Sequence, residues 1–130
     1  MPTSAKAQTI DELTEQLANA KLIVLTDYRG LRVADLQDLR GNLRKSGGEI
    51  RVAKNTLTRI AAENAGITGL EPFLEGPLAI GIANDDIVAF TKSLADFART
   101  SRILTIRAGV LDKSVINAEQ VEAIATLPSK

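Results

Sequence analysis

Residues 22–57 have the sequence LIVLTDYRGLRVADLQDLRGNLRKSGGEIRVAKNTL, which contains a strand-helix-strand pattern. The aliphatic run 22–25 predicts a buried strand, and leucines three and four residues apart predict a helix over 33–46 that Gly47-Gly48 ends. Residues 50–53 predict a second strand. We expect the buried face of the helix to carry Val33, Leu36, Leu39 and Leu43. A strand-helix-strand crossover makes both strands run in the same direction, so their carboxyl ends should emerge at one edge of the sheet.

The flanking sequence continues this alternation of strands and helices. The turn signal Gly76-Pro77 introduces an aliphatic strand, and Pro128 ends the last predicted helix. Further helices are predicted over 4–20, from Asn55 or Thr56 to 64 with Gly66 as its left-handed cap, from Asp85 or Asp86 to 99, and over 118–126; further strands are predicted over 78–83 and 103–108, with a polar turn at 112–114.

Alternating strands and helices predict an α/β (α+β) two-layer sandwich. The order βαβ(α)βαβ matches the ferredoxin-like plan, in which one open sheet carries helices mainly on one face. The first helix would be an N-terminal addition to this plan. The length of 130 residues fits a single domain over 1–130.

Composition excludes several classes of function. The chain has no His and no Cys, so it lacks the imidazole bases, thiolate nucleophiles and N/S zinc ligands of many enzymes, and we expect no cofactor and no metal. Its longest aliphatic runs are far shorter than the roughly 18 residues that a membrane-spanning helix needs. We therefore expect a cytoplasmic protein without a membrane partner.

The formal net charge of zero hides two segments of opposite sign. Segment 28–62 carries eight basic and three acidic residues, for +5, whereas segment 63–98 carries one basic and six acidic residues, for −5. A balanced total therefore does not exclude a polyanionic partner such as a nucleic acid.

The basic segment contains a candidate anion site at the expected sheet edge. Tyr28-Arg29-Gly30 follows the first strand, and Lys54-Asn55-Thr56 follows the second. A lysine before a helix start, together with the free amides of the first helical turn, is a general binding site for an anion. A helical wheel places Arg59 opposite the core, and it places Arg40 and Arg44 beside the buried stripe of their helix.

Structural explanations compete with this site. Asn55 and Thr56 can serve as helix caps, Arg40 and Arg44 as a solvated helix face, and Tyr28 as a half-buried aromatic. The clustering of basic residues favours the functional interpretation. Because Tyr28 is the only aromatic residue of the basic segment, contacts to the phosphates and sugars of folded, paired RNA fit better than base stacking. The carboxylate pair Asp85-Asp86 lacks a base and is interpreted as a cap.

Five segments carry a family resemblance: Asp27-Tyr28-Arg29-Gly30-Leu31; Leu39-Arg40 with Leu43-Arg44; Arg51-Val52 with Lys54-Asn55-Thr56-Leu57; Glu75-Gly76-Pro77; and Ala125-Thr126-Leu127-Pro128. In order and spacing they resemble the bacterial large-subunit ribosomal protein ten family, the proteins of the ribosomal stalk base. The resemblance implies a non-catalytic, ribosome-bound domain that binds large-subunit rRNA at the stalk base, next to another ribosomal protein. In that family a further C-terminal helix carries the acidic stalk dimers. We expect this helix to be absent from residues 1–130.

These observations lead to an explicit site hypothesis. Arg29, Lys54 and Arg59 would neutralise phosphates, the amides of Asn55 and Thr56 would hold one phosphate, and Tyr28 with Gly30 would allow close approach of the RNA backbone. Second-rank candidates are Arg40, Arg44 and Arg51. The alternative is a small-ligand-binding or oligomerising regulatory domain of ferredoxin-like fold, whose strand-end edge would hold a phosphate or carboxylate. An enzyme would need an acid-base pair that the sequence does not contain.

Overall fold

The structure is a computed structural model that describes residues 4–76, 78–111 and 113–126. In chain order its elements are α1 (Ser4–Asn19), β1 (Leu22–Asp27), α2 (Val33–Arg44), β2 (Gly48–Val52), α3 (Asn55–Asn64), a 3-10 turn (Glu71–Phe73), β3 (Leu78–Ala83), α4 (Ile87–Ser101), β4 (Thr105–Leu111), β5 (Ser114–Asn117) and α5 (Ala118–Ala125). Pro77, Asp112 and Pro128 of the expected turns and helix end lie outside the described residues.

The five strands form one sheet in the order β2-β3-β1-β4-β5, and every neighbouring pair is antiparallel. Strands β1 and β2 run in the same direction with β3 between them, as a crossover through α2 requires. The first four strands have the order and directions of the ferredoxin-like plan, which confirms the predicted α+β fold class. Strand β5 extends this plan at one edge and was not predicted from the sequence, which indicated only the turn at 112–114 before the last helix.

Helices cover both faces of the sheet, so the expectation of helices mainly on one face was wrong. Alternate residues of β1 enter different cores: Leu22 and Val24 pack with α2, α4 and α5, whereas Ile23 and Leu25 pack with α1 and α3. Burial on both faces explains why β1 is a continuous aliphatic run rather than an alternating one. Helix α1, predicted as an addition, packs through Leu13 and Leu17 onto the second face.

The prediction for the buried face of α2 was wrong at one end. Leu39 and Leu43 are fully buried, but Val33 is 72% exposed. Val33 is the first residue of α2, and its side chain is left mostly in solvent. Among the described helices, none has the length and apolar character to cross a lipid bilayer.

Candidate nucleic-acid interface

The segments that were expected to converge lie at one end of the sheet, where β1 and β2 end and β3 and β4 begin. Asp27, the last residue of β1, pairs with Leu78 at the start of β3 and with Thr105 at the start of β4, and Val52 ends β2 beside Ala79. We call this end the strand-end rim and define it as residues 28–33, 52–57, 75–76 and 101–105. The predicted convergence of the Tyr28 and Lys54 segments is therefore present in the fold.

A tight turn presents Arg29 at the rim. The amide of Leu31 donates to the carbonyl of Tyr28 at 2.9 Å, and Gly30 adopts φ +91°, a conformation that glycine accepts at little cost. The carboxylate of Asp27 accepts a hydrogen bond from the Arg29 amide at 2.9 Å. The Arg29 guanidinium itself reaches β3, because a methyl group on Gly76 would lie 2.7 Å from Arg29 Nη2.

The same glycine connects the start of α3 to the rim. Asn55 Nδ2 donates a hydrogen bond to the Gly76 carbonyl oxygen at 2.9 Å. Arg29 and Asn55, which follow different strands, thus contact one residue at the entry to β3. Gly76 adopts φ +73°, so both the backbone conformation and the available space favour glycine there.

Helix α3 begins with an open first turn. The capping position is occupied by Lys54 rather than by Asn55 or Thr56, so the prediction of a side-chain cap was wrong. The Asn55 side chain donates its hydrogen bond to the Gly76 carbonyl oxygen, and the ammonium of Lys54 cannot accept a hydrogen bond, so neither side chain caps the first turn of α3. The first helical backbone bond runs from the Thr58 amide to Lys54 O at 3.0 Å, so the amides of residues 55–57 precede it.

Arg59 extends this open turn. Its side chain is exposed, as the helical wheel predicted, and it lines a shallow depression of about 230 Å³ with Asn55, Thr56, Glu71 and Leu74. The depression is too small for a folded ligand, but a single phosphate group fits its scale. Phosphate binding at this position would use the amides, the helix dipole and Arg59, with Lys54 at the preceding position, against the negative charge of Glu71.

Of the six candidate cations, Arg51 alone has an ion-pair partner within the described part of the chain. Within the described part of the chain, Arg32, Arg51 and Arg99 each have a carboxylate oxygen within 4.0 Å. Over the same residues, Arg29, Lys54 and Arg59 have no such partner. The three first-rank cations of the site hypothesis therefore keep their charge available to an external anion.

The second-rank arginines gather in a different place. Arg40, Arg44 and Arg51 line a second depression of about 240 Å³ with Gln16, Glu49 and Ile50, along β2. Arg51 is occupied within the fold, since it donates to Glu12 Oε2 and to Gln16 Oε1, both at 3.0 Å. It therefore attaches α1 to β2, a role that the sequence did not indicate.

Three further residues complete the rim: Tyr28, whose half-buried position the sequence offered as an alternative, and two residues that the sequence did not indicate. Tyr28 is half-buried and packs against the core beneath α2 and α4, so its ring supports the turn more than it offers a stacking surface. Arg102 and Ile103 lie at the rim because β4 pairs antiparallel to β1, and the sequence analysis did not include them. The signal was the direction of β4, which a single crossover unit does not provide.

Comparison with known proteins gives a consistent result. Residues 1–99 match the family model described as "Ribosomal protein L10". The chain is 45% identical over all its 130 residues to the large ribosomal subunit protein uL10 of Roseiflexus castenholzii, covering 70% of that protein. It is 48% identical over 125 residues, or 96% of the chain, to the protein of the same name from Staphylococcus aureus strain JH9, covering 75% of it.

Proposed function

The chain belongs to the uL10 family of large-subunit ribosomal proteins, a structural and non-enzymatic family, and on that basis we propose that its strand-end rim binds large-subunit rRNA at the base of the ribosomal stalk. The domain would span residues 1–130 and act on the ribosome in the cytoplasm. The observation that carries the proposal is the convergence around Gly76 of an open helix start with Arg29, Lys54 and Arg59, which have no ion-pair partner among the described residues.

Each first-rank residue has a distinct part in the proposed contact. Arg29, Lys54 and Arg59 neutralise RNA phosphates, and the amides of Asn55 and Thr56 hold one phosphate at the α3 start. The Tyr28-Arg29-Gly30 turn lets the RNA backbone approach closely. Arg40 and Arg44 are exposed and remain second-rank candidates, whereas the internal contacts of Arg51 favour a structural role.

The chemistry of the rim favours shape and backbone recognition over base readout. Its cations and amides are suited to phosphate oxygens, and the shallow minor groove of A-form RNA exposes 2′-hydroxyls to such a surface. Aromatic platforms for unpaired bases are scarce, because the chain contains one Tyr, three Phe and no Trp. A folded, largely paired rRNA segment is therefore the proposed ligand.

The acidic segment 63–98 supports a one-sided arrangement. Asp85 and Asp86 follow the end of β3 that lies opposite the rim, so their charge would keep that end away from RNA and towards a neighbouring ribosomal protein. Glu71 and Glu75 of the same segment lie at or beside the rim and do not contribute to this separation. The proposal assigns no residue within 1–130 to the acidic stalk dimers.

The test is a filter-binding titration against the stalk-base rRNA fragment at several salt concentrations, with unrelated structured RNA as competitor. Roughly five phosphate contacts predict a log-log salt slope of a few units, and Lys54→Ala with Arg59→Ala should reduce it by about two. At about 0.1 M salt the same double substitution should weaken binding about 25- to 60-fold.

A control variant with the same change of charge is available. Lys92 and Lys113 are exposed and lie away from the rim, so Lys92→Ala with Lys113→Ala should leave both affinity and salt slope unchanged. Equal effects of the two double variants would show that binding depends on the net charge of the chain and not on the rim. Unchanged binding after loss of Lys54 and Arg59 would refute the site.

A further inference from the structure

The corner between α4 and β4 contains an unusual backbone conformation. Arg102 adopts φ +59°, and in the ranges 4–76, 78–111 and 113–126 the only other non-glycine residue with positive φ is Lys113. Glycine is the common residue after a helix because it adopts this conformation freely, whereas a side chain with a Cβ is uncommon there. The chain thus places a long cationic side chain where backbone geometry favours glycine.

Hydrogen bonds hold this corner in one arrangement. The Arg102 amide donates to the Ala98 carbonyl at 3.0 Å, and Ser101 Oγ accepts from the amides of Ile103 and Leu104, both at 3.3 Å. Leu104 is 3% exposed and anchors the corner in the core, while Ile103 remains 42% exposed. Arg102 and Ile103 are thus both exposed at the corner.

The corner adjoins the Arg29 turn directly. A methyl group on Gly30 would lie 3.2 Å from Ile103 Cγ2, so Ile103 lies against the turn that presents Arg29. Arg29 in turn contacts Gly76, and Gly76 accepts the hydrogen bond from Asn55. The contacts form a continuous line across the ends of β4, β1, β3 and β2, which is also their order in the sheet.

Arg102 is also electrostatically available. It is exposed, and it has no carboxylate partner within 4.0 Å among the residues that the structure describes. Four adjacent strand ends span about 14 Å at the usual spacing of about 4.8 Å, so Arg102 and Lys54 mark the two ends of an extended cationic edge.

We propose that Arg102 is a phosphate-binding residue of the RNA interface, and that Ile103, seated against Gly30, fixes its position beside Arg29. This inference rests on the proposed rRNA-binding function and extends its contact surface to the β4 side of the sheet. Its ligand is a backbone phosphate of the same RNA, bound at the end of the rim opposite Lys54.

The substitution Arg102→Gly separates binding from folding. Glycine relieves the strained φ, so the melting temperature should stay the same or rise. Binding to the stalk-base rRNA fragment should nevertheless weaken about five- to eightfold at about 0.1 M salt, and the salt slope should fall by about one. Arg102→Lys keeps the charge and should retain most of the affinity.

Lys113→Gly is the matched control, because it removes one positive charge at the other strained position. Lys113 precedes β5 beside the Leu22 end of β1, at the opposite end of the sheet. Lys113→Gly should stabilise the fold about as much as Arg102→Gly does, without changing RNA binding. If Arg102→Gly binds as Lys113→Gly does, while Lys54→Ala with Arg59→Ala weakens binding, the Arg102 site is refuted and the proposed function stands. If neither rim variant changes the affinity, or the wild-type chain does not select the fragment, both proposals fail.

Discussion

Asn55 illustrates how one residue type serves two different roles. An Asn before a helical stretch predicts an N-cap, because its side-chain oxygen accepts from the first-turn amides. In the fold, its amide nitrogen instead donates to Gly76, so Asn55 joins the α3 start to the β3 entry. The sequence does not distinguish these roles, because the choice depends on a partner 21 residues away.

Replacing Asn55 with Ala should therefore lower the free energy of unfolding even without RNA. Loss of this exposed hydrogen bond should cost about 0.5–1 kcal/mol. The neighbouring Thr56→Ala should change stability by less than about 0.5 kcal/mol, since Thr56 is exposed. Urea denaturation of both variants provides the comparison. Equal effects at the two positions would contradict a specific role for the Asn55 to Gly76 bond.

At the level of elements, α4 packs on the sheet at a place where two adjacent strands carry glycine. The Phe90 ring is fully buried and lies against Gly48 of β2 and Gly81 of β3. A methyl group at Gly48 would lie 2.3 Å from Phe90 Cδ2 and 2.9 Å from the Ile82 carbonyl oxygen. The two glycines therefore set the distance between helix and sheet by leaving space for one aromatic ring.

Gly48→Ala should destabilise the fold by about 1–3 kcal/mol, because the ring and the strand must both move. Gly41→Ala is the control: Gly41 lies within α2 with nothing within 4 Å of its potential methyl group, so alanine should stabilise the helix by about 0.5–1 kcal/mol. Thermal unfolding should shift in opposite directions for the two variants. A neutral Gly48→Ala would show that α4 packs elsewhere.

Element prediction succeeded where local signals were complete. Strand β3 has the predicted bounds because all six of its residues are buried between two helix layers. Strand β5 was missed because its four residues offer only Val115 and Ile116 as apolar positions, and its extended conformation depends on pairing with β4. Helix α1 was found, but its attachment through Arg51, Gln16 and Glu12 depends on tertiary placement and has no local signature.

At the scale of the whole molecule, the sheet topology brings basic residues that are distant in sequence to the same end of the sheet. The ends of β1 and β2 were predicted to converge because a crossover fixes their relative direction. Arg102 was not predicted, because the prediction of the rim rested on the β1-α2-β2 crossover alone and not on the antiparallel β4 of the ferredoxin-like plan. The sequence thus predicted one half of the rim, and the sheet order supplied the other.

The central claim is that RNA binds along one end of the sheet, and an amide NMR titration of the isotope-labelled chain with the stalk-base rRNA fragment tests it most directly. We expect the largest shift changes in residues 28–31, 54–59 and 101–104. Residues 47–48, 84–87 and 113–115, at the opposite end, should change little. Changes centred on that opposite end, or spread evenly over the sheet, would contradict the account.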